Sequence, residues 1–175
     1  MMEIVPLSMV PELCPVLAEW AYNQWYRDRA IAYETLLGAY RARALDDFLP
    51  WMVVALVEGS PAGMATLKED DLRSRSDLNP WLSGLYVPPS FRERGIGHAL
   101  VQRVIGRAGE LGYARLFLFT GGSDTGRLER YYGARGWKFG GRAVDNDGYD
   151  TVIMRYDLCR EATEGGIKSS GSDPP

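Results

Sequence analysis

Apolar residues recur along this chain with two periods, and the switches between them mark out its elements. Residues 2–7 (MEIVPL) read as a short opening strand. From Pro11 a helical pattern takes over through Leu13, Leu17, Trp20, Ala21 and Trp25. A second helix is predicted over residues 33–47, and Pro50 marks its end. Residues 51–57 (WMVVALV) are a dense, β-branched run, hence a strand. Gly59-Ser60-Pro61 reads as a hairpin turn, with residues 62–67 as the returning strand. Residues 68–77 (KEDDLRSRSD) are polar and read as a loop. Residues 81–87 form the next strand, closed by Pro88 and Pro89, neither of which can donate to a ladder.

A single apolar stripe then runs through Ile96, Leu100, Val104, Ala108 and Leu111, and Gly112 caps that helix. Residues 115–120 (RLFLFT) are nearly all apolar, as a buried strand requires. A helix is predicted over residues 123–135. Two last strands, at residues 137–142 and 149–158, are joined by the Asp145-Asn146-Asp147-Gly148 turn. The order β-α-α-β-β-β-α-β-α-β-β is that of an α/β domain, and no internal repeat interrupts it.

Composition narrows the class. The chain has 175 residues, 46% apolar and 25% charged, and reads as one soluble globular domain with a real core. Residues 160–175 are rich in Gly, Ser, Glu and Pro and read as a flexible tail beyond a domain at 1–159. A net charge of −3 gives no reason to expect nucleic acid as a partner. No stretch reads as a signal peptide or a membrane span, so the expectation is a cytoplasmic protein. Cys14 and Cys159 stand far apart and His98 is the only histidine, so neither a disulfide framework nor a metal site is expected.

The chemistry concentrates between the strand at 81–87 and the helix that follows. Gly95 and Gly97 lie at the turn that opens this helix, where first-turn N–H groups lack intrahelical partners and the macrodipole is positive. Glycines there let a ligand approach the backbone, and Arg92 and Arg94 add positive charge. Together they describe a cradle for phosphate or pyrophosphate. A dinucleotide fingerprint fails because its third glycine is Leu100 here. A P-loop fails at residues 121–128, where Arg127 and Leu128 replace Lys and Ser or Thr.

The run Arg92-Glu93-Arg94-Gly95-Ile96-Gly97 resembles the Arg/Gln-x-x-Gly-x-Gly/Ala hallmark of the GNAT superfamily of N-acetyltransferases. Downstream, Tyr132-Gly133-Ala134-Arg135-Gly136-Trp137 resembles the family's Tyr-x-x-x-Gly-Phe/Trp segment. The resemblance implies a mixed, mostly antiparallel sheet of about six to seven strands flanked by about four helices. It implies acetyl-CoA as donor and the primary amine of a small molecule or peptide as acceptor. Leu85, Tyr86 and Val87 would hold the pantetheine arm, and Arg92, Arg94, Gly95, Ile96, Gly97, His98 and Ala99 the pyrophosphate. Gly84 within the strand hints at a bulge that would aim a backbone N–H at the thioester oxygen.

Tyr132 matches the general acid, since a phenol with pKa near ~10 stays protonated and can meet the leaving thiolate. Tyr131 competes for that role, and the spacing to Gly136 and Trp137 favours Tyr132. No carboxylate lies on the strand at 81–87, which leaves Glu69, Asp70 and Asp71 as candidate bases; they would also favour a cationic amine. His98, in the first turn of a helix, is read as part of the cradle or exposed, not as the base. Thr125 stands where relatives often have an Asn that bonds the cofactor arm. Tyr22, Trp25 and Tyr26, with Arg27, lie in the region that forms the acceptor pocket in relatives; core packing is the competing role. A non-catalytic acyl-CoA-binding or sensing domain is the alternative function. A homodimer is compatible with the resemblance, though no interface can be read from the residues.

Overall fold

The computed structural model describes residues 1–121 and 125–158, with only the backbone described at Gly121 and Thr125. The predicted tail and the start of the helix predicted at 123 lie outside the described residues. In chain order the elements are β1 (Met2–Pro6), α1 (Cys14–Ala21), a turn of π-helix (Tyr22–Tyr26), α2 (Tyr33–Arg43), β2 (Trp51–Val57), β3 (Ser60–Lys68), β4 (Trp81–Tyr86), α3 (Ile96–Glu110), β5 (Arg115–Gly121), α4 (Thr125–Gly133), β6 (Lys138–Val144) and β7 (Asp150–Asp157). Seven strands form one sheet in the order β1-β2-β3-β4-β5-β7-β6. Neighbours are antiparallel except β4 and β5, which run parallel. The fold is the mixed, mostly antiparallel sheet with four flanking helices that the resemblance implies.

The continuous apolar run of β2 follows from burial on both faces of the sheet. Trp51, Val53 and Ala55 pack with α3 residues Leu100, Val104 and Ala108, while Met52 and Val54 pack with Leu17, Ala18 and Tyr40 of α1 and α2. Side chains alternate across a strand, so a strand covered on both sides needs apolar residues at every position. β5 obeys the same rule: Leu116 and Leu118 join the α3 cluster, and Phe117 packs on Trp81 on the other side.

Two local features depart from the sequence-based elements. α2 stops at Arg43, short of residue 47. Beyond it the Asp46 carboxylate accepts a bond from the Phe48 N–H at 2.9 Å, a local side-chain bond that competes with helix. The helix from α1 passes at Tyr22 into π geometry, and the Arg27 N–H reaches the Tyr22 carbonyl, five residues back, at 2.8 Å. Among the described residues no helix is long and apolar enough to cross a membrane, and no group of three or more His, Cys, Asp or Glu could hold a metal ion.

Candidate active site

The parallel pair at the centre of the sheet creates the site. β4 and β5 are in register at a single point, Trp81 opposite Phe117. Beyond it the strands part, and a cavity of about 510 Å³ lies between them. One wall is Leu82, Ser83, Gly84 and Leu85 of β4; the other is Leu118, Phe119 and Thr120 of β5. α4 contributes Leu128 and Tyr132, and the π turn contributes Gln24, Trp25 and Tyr26. Three loops close the rim with Arg29, Asp71, Asn146 and Asp147.

The β4 wall is bulged. Thr66 pairs with Ser83 and Met64 with Tyr86, so Gly84 and Leu85 together oppose Ala65 alone. Gly84 has φ +58, a conformation that other residues adopt only at a cost, and the extra residue drops out of the ladder. The hint of a bulge in the sequence thus corresponds to a backbone turned away from β3 beside the cavity.

At the far end of β4, Gly95 sits at the N-cap of α3 with φ +77, and no side chain caps that end. The Ala99 N–H closes the first turn on the Gly95 carbonyl at 3.0 Å. Ile96 is buried and packs with Leu100 in the α3 cluster, anchoring the turn, whereas His98, Arg92 and Arg94 are exposed and Gly97 and Ala99 half-buried. Arg92 Nε donates to the Val87 carbonyl at 3.0 Å, tying the turn back to the strand end. The Arg94 guanidinium lies 5.5 Å from the centre of the Phe91 ring. Leu85, Tyr86 and Val87 are half-buried, and Tyr86 packs against Trp20 and Trp25 at 5.6 and 6.1 Å between ring centres.

Gly63 on β3 explains how α3 comes so close. A Cβ there would lie 2.9 Å from Leu100 Cδ1 and 3.1 Å from the Tyr86 carbonyl. Sequence reasoning passed over this residue because the strand pattern around it is unremarked by a single small residue.

Tyr132 faces the cavity and is 7% exposed. Burial pushes its phenol up to about 12; Tyr131 adds to the rise and Arg135 opposes it. Tyr131 is occupied elsewhere, with the Arg135 guanidinium 3.7 Å from its ring centre. The two tyrosines stand edge to face at 5.2 Å, and of the two Tyr132 lines the cavity. The side chain of Thr125, at the start of α4, lies outside the described residues.

The acidic residues separate. Asp71 lines the cavity and pairs with Lys68, its side chain only 11% exposed. Glu69 instead accepts from the Tyr113 hydroxyl at 3.5 Å, and Asp70 is exposed; neither lines the cavity. Of the aromatic residues, Trp25 and Tyr26 reach the cavity, whereas Tyr22 packs edge-on against Tyr33 at 6.0 Å. Arg27 lies beside a second hollow, not the first.

Sequence reasoning missed Arg29, Thr120, Asn146 and Asp147. Asn146 Nδ2 donates to the Asp71 carbonyl at 2.7 Å, and its Oδ1 accepts from the Arg73 N–H at 3.0 Å. This clasps the β6–β7 turn to the β3–β4 loop and brings Asp147 to the rim, where it pairs with Arg29. The Asp145-to-Gly148 run signals a turn in the sequence, but nothing local says what the turn touches.

Solved structures share this architecture. YncA from Salmonella typhimurium, solved with its cofactor acetyl-CoA, is 20% identical, with 92% of this chain and 96% of that one covered and a TM-score of 0.68. An aminoglycoside 6'-acetyltransferase type Ii is 18% identical, covering 90% and 98% at a TM-score of 0.68. An N-acetyltransferase from Staphylococcus aureus is 20% identical, covering 91% and 99% at a TM-score of 0.66. No curated protein matches the chain by sequence. The profile of the Acetyltransferase (GNAT) family matches residues 14–137, from the first turn of α1 to the residue before β6. A match over that span, well over half of the chain, places it in the acetyltransferase (GNAT) family.

Proposed function

We propose that this protein transfers an acetyl group from acetyl-CoA to a primary amine by direct attack. The observation that carries the reading is the placement of the Tyr132 phenol and the Gly84 bulge on one cavity, an acid and a break in the ladder facing a common space. The residues present fit the donor: Gly95 leaves open space above an uncapped helix end, with nothing within 4 Å of where a Cβ would stand. There the first-turn N–H groups of α3 bind the pyrophosphate, and Arg92 and Arg94 supply charge at the surface. The backbone of Leu85, Tyr86 and Val87 holds the pantetheine arm in the manner of an added strand.

Acetyl-CoA supplies an activated thioester. The bulged backbone at Gly84 and Leu85 donates to the thioester oxygen, where negative charge develops during attack. The amine must lose a proton to attack, since an ammonium has no lone pair. Of the acidic residues at 69–71, Asp71 is the one that lines the cavity, and we assign it that role. Tyr132, held neutral far above physiological pH, gives its proton to the departing thiolate.

The test is release of free thiol from acetyl-CoA in the presence of amines, wild type beside Tyr132→Phe. Amine-dependent release that collapses in the variant supports the reading. Binding of acetyl-CoA with no release from any amine favours the sensing domain instead. Failure to bind acetyl-CoA overturns both.

A further inference from the structure

The rim of the cavity holds two opposite charges side by side. Among the described residues, the charged side chains that line it are Arg29, Asp71 and Asp147. Asp71 pairs with Lys68 from its own loop, whereas Arg29 and Asp147 at the rim pair with each other across 118 residues of sequence. Their side chains are 40% and 35% exposed. Both also border a second, adjoining hollow of about 390 Å³, so the pair stands where one opens into the other.

An exposed ion pair of this kind adds little stability, so it opens at little cost to an incoming molecule. Each half is held in place without the other. The Arg29 guanidinium also lies over the Tyr26 ring, 5.3 Å from its centre. Asp147 sits in a turn whose 147 and 149 N–H groups both bond the Asp145 carboxylate at 2.9 Å. A purely cationic acceptor would be repelled by Arg29, and a purely anionic one by Asp147. A molecule that carries an ammonium next to a carboxylate satisfies both. Guanidinium grips carboxylate in a two-pronged geometry, and Asp147 accepts from the ammonium. Beside them Trp25, Tyr26 and Phe119 offer an apolar surface.

From this juxtaposition we infer that the acceptor is a free α-amino acid, bound through its carboxylate to Arg29 and through its ammonium to Asp147. The inference rests on the acetyltransferase reading above. The ammonium sheds one proton and its nitrogen bonds the thioester carbon; the C–S bond breaks, and the nitrogen loses a second proton as the amide forms. The thiolate takes one proton and solvent the other, so the products are the N-acetyl amino acid, the thiol and one proton.

The experiment measures thiol release with the common L-amino acids, each beside its carboxamide and its decarboxylated amine. The carboxamide stands for a peptide N-terminus and the amine for a simple cation. The expected result is a kcat/KM for the acid at least about ten-fold above its two partners, as a charged hydrogen-bonded pair implies. Arg29→Met should bring that ratio close to one, chiefly through KM, and Arg29→Lys should restore part of it. An amide or amine that equals the acid in the wild type overturns the inference and leaves the acetyltransferase reading standing. So does an unchanged acid-to-amide ratio in Arg29→Met. If acetyl-CoA binds and no amine is turned over, the acetyltransferase reading fails. Calorimetric titration with the same triads then decides the inference by itself: an acid preference abolished by Arg29→Met upholds it, and no preference overturns it.

Discussion

The two sides of the cavity are built by different means. The side we propose for the donor, from β4 into α3, is made of backbone: a bulge at Gly84, a left-handed turn at Gly95 and an uncapped helix end, all within a dozen or so consecutive residues. The rim we propose for the acceptor is made of side chains from three loops, joined by bonds such as Asn146 to the Asp71 carbonyl and Arg29 to Asp147. Backbone geometry offers the same N–H groups whatever the surrounding side chains are, so it suits a donor shared across a family. A rim of long side chains changes its chemistry with one substitution, and so suits a variable acceptor.

That contrast can be broken at definite points. The largest expected effect is from Tyr132→Phe, which keeps the ring against Trp137 and removes the proposed acid. We expect kcat to fall about 10²–10⁴-fold in steady-state assays, with acetyl-CoA affinity unchanged by calorimetry. Next is Gly63→Val, whose Cβ would press on Leu100 and on the Tyr86 carbonyl. It should destabilise the protein by about 1–3 kcal/mol in urea titration and weaken acetyl-CoA binding by moving α3 off β4. Asn146→Ala acts on the other side alone. Losing the clasp should raise KM for the amine by an amount equivalent to about 1–2 kcal/mol and leave acetyl-CoA binding as it is. If it weakens both, the two sides are not separable.

The smallest effect concerns burial. At alkaline pH, Tyr132 and Tyr40 share a fate, since burial pushes both phenols up to about 12 from 10.0. The unfolded chain ionises first, so the full stability holds below pH 10 and drains away as pH rises toward 12. Absorbance at alkaline pH should show these two phenols titrating last, and Tyr40→Phe with Tyr132→Phe should flatten the loss.

The glycine turn that opens α3 was legible because its information is local. Arg92 to Gly97 and the strand before it state a turn, a charge and a helix start in adjacent residues. The sheet was legible for the same reason, in the periods of β2 and β5. Arg29, Asn146 and Asp147 were not, because each owes its place to a partner far along the chain, and an Asp-Asn-Asp-Gly run predicts a turn whether or not it meets anything. Asp71, unlike its neighbours Glu69 and Asp70, lines the cavity, which no composition reveals. Motif spacing favours Tyr132 over Tyr131 as the acid; in the fold Arg135 stacks on the Tyr131 ring while Tyr132 lines the cavity.

The π turn at Tyr22–Tyr26 makes this protein unusually sensitive to length in one place. Its bonds span five residues where an α-helix spans four, so the turn holds one residue more than a regular helix would. Deleting that residue would let the helix relax to ordinary geometry with the following chain still in phase, and the remaining side chains of the turn would be redistributed round it. Trp25 and Tyr26, which line the cavity, would change their facing together with no change in their own identity. A three-nucleotide deletion here thus recasts one stretch of the cavity wall at a stroke, where a substitution changes a single side chain.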